Sequence, residues 1–110
     1  MRLGIIGSGS WATALAKIVS DNRQPLNWCV RNAQIVQHIY LRKHNPHYLT
    51  AATFNTEDIY LSTDVADVVG KSDCVIIAIP SAYIVSTFET LDSTALSGKV
   101  VRSEEHTSEL

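Results

Sequence analysis

Residues 4–18 read GIIGSGSWATALAKI, with Gly7-Ser8-Gly9-Ser10 set between a short apolar run and a stretch of helical periodicity. Glycine spends conformational entropy and packs nothing. Two of them at this point mean that something must come close to the backbone. The flanks define the setting. MRLGII reads as a strand, and 10–21 as a helix with Ala12, Leu15, Ala16 and Val19 on one face.

The alternation continues along the chain. PLNWCV, entered through Pro25, reads as a second strand. Asn32 caps a helix running to about Arg42 with Ile35, Val36, Ile39 and Tyr40 inward, and Pro46 ends the segment. IYLS is a third strand, and Asp64 opens a short helix through Val69 that Gly70 is expected to close. VIIAI has the continuous apolar pattern of a strand buried on both faces. Residues 81–91 read as a helix, and GKVV begins a fifth strand. Strands and helices in this order and spacing predict an α/β fold: a Rossmann-type, doubly wound, mainly parallel sheet.

In that fold the opening stretch has a chemical purpose. Gly7 to Ala12 fits G-x-G-x-x-G/A between the first strand and first helix. Gly7 permits the tight turn, Gly9 lets the backbone approach a pyrophosphate, and Ala12 allows close helix–strand packing. The helix N-terminus offers N–H groups and the positive end of its dipole. The second strand ends in Trp28-Cys29-Val30-Arg31-Asn32, a cation with no acid. A carboxylate here would bond the ribose 2′-OH of NAD, whereas the Arg31 guanidinium matches a 2′-phosphate. That favours NADP, with NAD alongside it. Pro80, Ser81 and Tyr83 fall at the same carboxyl edge, where they either border the nicotinamide half of a ligand or simply end a strand.

Composition narrows the alternatives. Apolar residues make up 45% and charged residues 18%, enough for a folded core. Through residue 101, eight Lys/Arg balance eight Asp/Glu, and Arg102 against Glu104, Glu105 and Glu109 gives the net −2. No basic stripe suits nucleic acid, and no apolar run reaches the ~20 residues of a membrane span. Cys29 and Cys74 sit in apolar runs and read as buried thiols of a reducing cytoplasm. His44 and His47 flank Pro46 and read as a surface loop, so no metal site is expected.

Together GIIGSGSWATALA, WCVRN, NPHYL, IYLSTDVADVV and IIAIPS resemble the N-terminal domain of bacterial NAD(P)-dependent glycerol-3-phosphate dehydrogenases over residues 1–101. Ala12 is a departure, since that family more often has glycine there. The resemblance implies an oxidoreductase that interconverts sn-glycerol 3-phosphate and dihydroxyacetone phosphate for glycerophospholipid synthesis, and leaves room for a homodimer of the full-length protein. It implies cofactor contacts at Ser10, Trp11 and Arg31, with Ser8 in the same loop, further contacts at Asn32 and Tyr48, and an aromatic beside the nicotinamide at Tyr83. The family's catalytic lysines match none of Lys17, Lys43, Lys71 or Lys99, so no catalytic residue is assigned.

The last nine residues, RSEEHTSEL, read as the in-frame translation of a sequencing-library adapter. They are therefore expected to lie outside the domain, which would occupy 1–101 with its sheet incomplete at the C-terminal end. The helical substrate domain is expected to be absent, leaving an inactive fragment. Two alternatives stay open: a Rossmann dehydrogenase of the ketopantoate or sugar-nucleotide type, or a stand-alone NADP(H)-sensing module.

Overall fold

Period-two alternation along the strands sorts the apolar side chains into two layers. In the computed structural model, which describes residues 2–46, 53–89, 91 and 100–103, strand β1 (Leu3–Ile6) sends Ile5 to one core and Ile6 to the other. Strand β2 (Leu26–Cys29) divides Trp28 from Cys29 in the same way. The first core packs Ala12 and Ala16 of helix α1 (Ser10–Asp21) with Ile35 and Ile39 of α2 (Ala33–Arg42). The second packs Val68 and Val69 of α3 (Val65–Lys71) with Val75 and Ile77 of β4 (Cys74–Ile77), flanked by Ile84 and Phe88 of α4 (Ile84–Phe88). Helices thus cover both faces of one sheet.

That sheet also contains β3 (Ile59–Ser62) and β5 (Val100–Ser103), in the order β3-β2-β1-β4-β5. Every pairing is parallel, as the doubly wound reading requires. The chain runs outward from β1 through β2 to β3, then returns to place β4 on the other side of β1. The carboxyl ends of β1 and β4 therefore flank the topological switch point, where open α/β sheets bind ligands.

Several local expectations change. Gly70 does not close α3: the helix continues through Lys71 and ends at Ser72, whose hydroxyl donates to the Val68 carbonyl at 2.7 Å. Gly70 has no positive φ, so it lacks the left-handed geometry of a glycine cap. The helix expected over 81–91 is a 3-10 turn at Ser81–Tyr83 followed by five residues of α4. β4 ends at Ile77, before Ala78-Ile79-Pro80. Cys74 is only half-buried, although Cys29 is buried. The backbone of Arg102 and Ser103 continues the β5 ladder opposite Ile76 and Ile77, two residues past the expected boundary. Parallel pairing is made by backbone groups, so a polar side chain does not prevent it.

Gly4 has a packing reason that its strand setting conceals. A Cβ there would lie 2.9 Å from Ser72 Cβ and 3.3 Å from Val68 Cγ1. The missing side chain lets α3 rest directly on β1.

Candidate functional site

A cleft of about 780 Å³ opens at the switch point, walled by the ends of four strands and the start of α1. β1 contributes Ile6 and the loop Gly7-Ser8-Gly9, and α1 contributes Ser10 and Trp11. Cys29, Val30 and Arg31 follow from β2, Thr63 and Val65 from beyond β3, and Ala78, Ile79 and Pro80 from beyond β4. Tyr83, Ser86 and Thr87 complete the far wall.

The two loop glycines differ in what demands them. Gly7 has φ +127°, and a Cβ on it would strike the Ala78 carbonyl, so the fold itself requires glycine. Gly9 has an ordinary φ of −77°, and a Cβ built there meets nothing within 4 Å. The protein therefore has room for a side chain at position 9. Gly9 lines the cleft, as needed for close approach of a bound group to the backbone.

Electrostatics favour an anion. Gly9 is the N-cap of α1 and provides no side-chain cap, in contrast to Asn32 on α2 and Asp64 on α3. The first turn of α1 contains no acid, and its amides add to the positive end of the helix dipole. Arg31 is the one charged residue in the described lining, and among the described residues it has no hydrogen bond or ion pair. Trp11, 38% exposed, and Tyr83, 61% exposed, add aromatic surface to the lining. Cys29 forms part of the floor, where burial pushes its thiol up to about 11, so it stays protonated and inert.

Of the residues singled out from the sequence, Gly7, Ser8, Gly9, Ser10, Trp11, Arg31, Pro80 and Tyr83 come together in this cleft. Ala12 does not line it: the side chain is fully buried beneath the loop, where its small size serves helix–strand packing. Asn32 also stays out of the lining, because its side chain accepts the Ile35 amide at 3.0 Å as a helix cap. Tyr48 and His47 lie outside the described residues. Thr63, Val65, Ser86 and Thr87 are lining residues without a sequence signal, since only the sheet order places them here.

Three lysines are engaged elsewhere. Lys17 pairs with Asp21, Lys43 donates to Thr56 Oγ1, and Lys71 pairs with Asp67. Lys99 lies outside the described residues.

A five-stranded parallel sheet in this order, with a glycine loop at its switch point, defines a Rossmann-type domain. The family described as the N-terminus of NAD-dependent glycerol-3-phosphate dehydrogenase matches residues 2–103, and the chain belongs to it. Glycerol-3-phosphate dehydrogenase [NAD(P)+] of Thermobifida fusca is 32% identical over 104 residues, covering 93% of this chain and 30% of the relative. The corresponding enzyme 2 of Sphingopyxis alaskensis is 33% identical over 89 residues, covering 81% of this chain and 26% of the relative. The chain thus spans between a quarter and a third of these relatives. Among solved structures, glycerol-3-phosphate dehydrogenase of Plasmodium falciparum superposes with a TM-score of 0.80 at 23% identity, over 94% of this chain and 31% of that one. A ketopantoate reductase from Ralstonia eutropha reaches 0.68 at 15% identity, over 92% and 33%. These two structures attest the fold.

Proposed function

We propose that this chain is the cofactor-binding part of an NAD(P)-dependent glycerol-3-phosphate dehydrogenase of the cytoplasm. The activity of the whole enzyme would be reversible hydride transfer between dihydroxyacetone phosphate and sn-glycerol 3-phosphate, serving glycerophospholipid synthesis. The observation that carries the proposal is Gly9, where an unstrained backbone and open space accept a side chain that is nonetheless missing.

The residues present fit a dinucleotide. The Gly7–Ser10 backbone and the uncapped start of α1 would hold the pyrophosphate. Arg31, with Thr63 and Val65, would flank the adenosine end, and its guanidinium would pair a 2′-phosphate. Pro80 and Tyr83 would border the nicotinamide. Bound here, the reduced cofactor supplies the hydride. The protein must add a proton for the developing alkoxide and cations for the substrate phosphate. The residues described in the cleft offer one cation, Arg31, at the end assigned to adenosine. We therefore assign those duties to a helical substrate domain of the full-length enzyme, with the cofactor domain including β5 through Ser103.

Calorimetric titration of the 110-residue chain and its Arg31→Asp variant with NADPH and NADH tests this assignment. Arg31→Asp is expected to weaken NADPH much more than NADH. Equal losses for the two cofactors remove Arg31 from its role, and failure of the unaltered chain to bind either contradicts the proposal.

A further inference from the structure

Three consecutive carbonyls of the glycine loop are each taken by a different buried side chain. Trp28 Nε1 donates to the Gly7 carbonyl at 2.7 Å, Asn45 Nδ2 to the Ser8 carbonyl at 3.2 Å, and Thr13 Oγ1 to the Gly9 carbonyl at 2.7 Å. Asn45 Nδ2 also donates to Thr13 Oγ1 at 3.0 Å, which joins two of the braces. All three side chains are 0% exposed. They come from β2, from the segment after α2, and from α1, so no single element holds the loop. We propose that Asn45 and Thr13, with Trp28, are positioning residues that set the loop for a pyrophosphate by pulling its carbonyls inward. The proposal rests on reading the cleft as a dinucleotide site.

The peptide geometry gives the brace its consequence. Among the described residues there are no cis peptide bonds, and in a trans peptide the N–H points opposite the carbonyl of the preceding residue. Holding the carbonyls of Gly7, Ser8 and Gly9 inward therefore turns the amides of Ser8, Gly9 and Ser10 away from the braces. These residues line the cleft, so an anion there meets donors instead of carbonyl lone pairs.

Proton accounting fixes the amide of Asn45. Thr13 has one hydroxyl proton and spends it on the Gly9 carbonyl, so its oxygen must accept from Asn45. The Ser8 carbonyl also needs a donor. Flipping the amide would set its oxygen against two acceptors. Asn45→Asp keeps the shape and removes both donors, which makes it the sharp perturbation. Thr13→Val is the equivalent shape-conserving change on α1, and Thr13→Ser retains the hydroxyl. A preset loop binds without first ordering itself, so loss of a brace should appear in the affinity for pyrophosphate ligands.

The experiment titrates the full chain and these variants with NADPH and with adenosine 2′-phosphate, which has no pyrophosphate, and records each thermal midpoint. Asn45→Asp and Thr13→Val are expected to weaken NADPH about tenfold or more, the effect of one to two lost hydrogen bonds. Adenosine 2′-phosphate should change by less than about twofold, and Thr13→Ser should restore NADPH binding. If Asn45→Asp does not fold, the Val/Ser pair at position 13 decides alone. Folded variants that bind NADPH normally overturn the inference, as do equal losses for both ligands, which would mark a general structural defect. An unaltered chain that binds NADPH while its variants do too removes only the brace. An unaltered chain that binds no NADPH removes the dinucleotide reading and the brace with it.

Discussion

Gly7 and Gly9 stand two residues apart, yet substituting each with alanine should break different things. At Gly7 the φ of +127° lies where only glycine is at ease, and the new methyl would meet the Ala78 carbonyl carbon at 2.9 Å. Such backbone strain costs about 1–3 kcal/mol before the collision is counted. At roughly 4–8 °C per kcal/mol for a small domain, the thermal midpoint of Gly7→Ala should fall by about 10 °C or more. Gly9→Ala introduces neither strain nor contact, because φ is −77° and nothing lies within 4 Å. Alanine's poorer N-cap preference and its smaller unfolded-state entropy oppose each other, so stability should stay within about 1 kcal/mol. Binding is another matter, since a methyl on this cleft-lining residue would crowd a pyrophosphate held against the loop as proposed. Overpacking of that kind costs about 1–3 kcal/mol, or roughly 5- to 150-fold in Kd. Scanning calorimetry and NADPH titration on both variants separate the effects. Gly9→Ala protein that binds NADPH as well as the unaltered chain would refute the reasoning.

Other perturbations probe the frame around the site. The Tyr40 hydroxyl accepts from the Leu61 amide at 2.9 Å and donates to the Ile59 carbonyl at 3.3 Å, covering the outer edge of β3. Tyr40→Phe should cost about 1–2 kcal/mol in denaturant unfolding and raise concentration-dependent light scattering from the exposed edge; an unchanged midpoint contradicts this. Asp67 is held below the usual carboxylate range, chiefly by the Tyr60 hydroxyl at 2.6 Å and further by Ser62 and Lys71. Its folded pKa lies below its unfolded one, so its contribution is whole above the unfolded value and disappears as pH falls through the folded one. Tyr60→Phe should therefore flatten the acid limb of the stability–pH curve below about pH 4, and an unaltered limb would remove the Tyr60–Asp67 linkage. Cys29, raised from 9.0 to about 11, should alkylate about 100-fold more slowly at pH 7 than an unperturbed thiol of the same nucleophilicity. Mass spectrometry of iodoacetamide-treated protein checks this, and labelling at the rate of a free thiol rejects it.

Much of the fold was legible because its signals are local. The bounds of α1, the Asn32 cap and the Ile59–Ser62 strand follow from periodicity and capping chemistry within a few residues. The glycine loop was legible because strand, loop and helix are contiguous. Gly70 misled because glycine after an apolar turn signals a cap, whereas Ser72 satisfies the end of α3 instead. Asn32 is the helix cap that its place before an apolar-periodic run predicts, and the cap uses its side chain. The brace had no such local signal, since Asn45 meets Thr13 across 32 positions of chain. Thr63 and Val65 enter the cleft only because β3 lies beside β2. What the sequence conceals here is long-range: which carbonyl each buried donor reaches, and which strand ends share a wall.

The most direct measurement is an amide chemical-shift titration of the 15N-labelled chain with NADPH. The Ser8, Gly9 and Ser10 amides should shift together and saturate at one ligand per chain, with the Arg31 guanidinium following the same curve. Shifts confined to another surface, such as the groove around Pro25 and Tyr60, would contradict it. So would saturation that leaves the three loop amides unmoved.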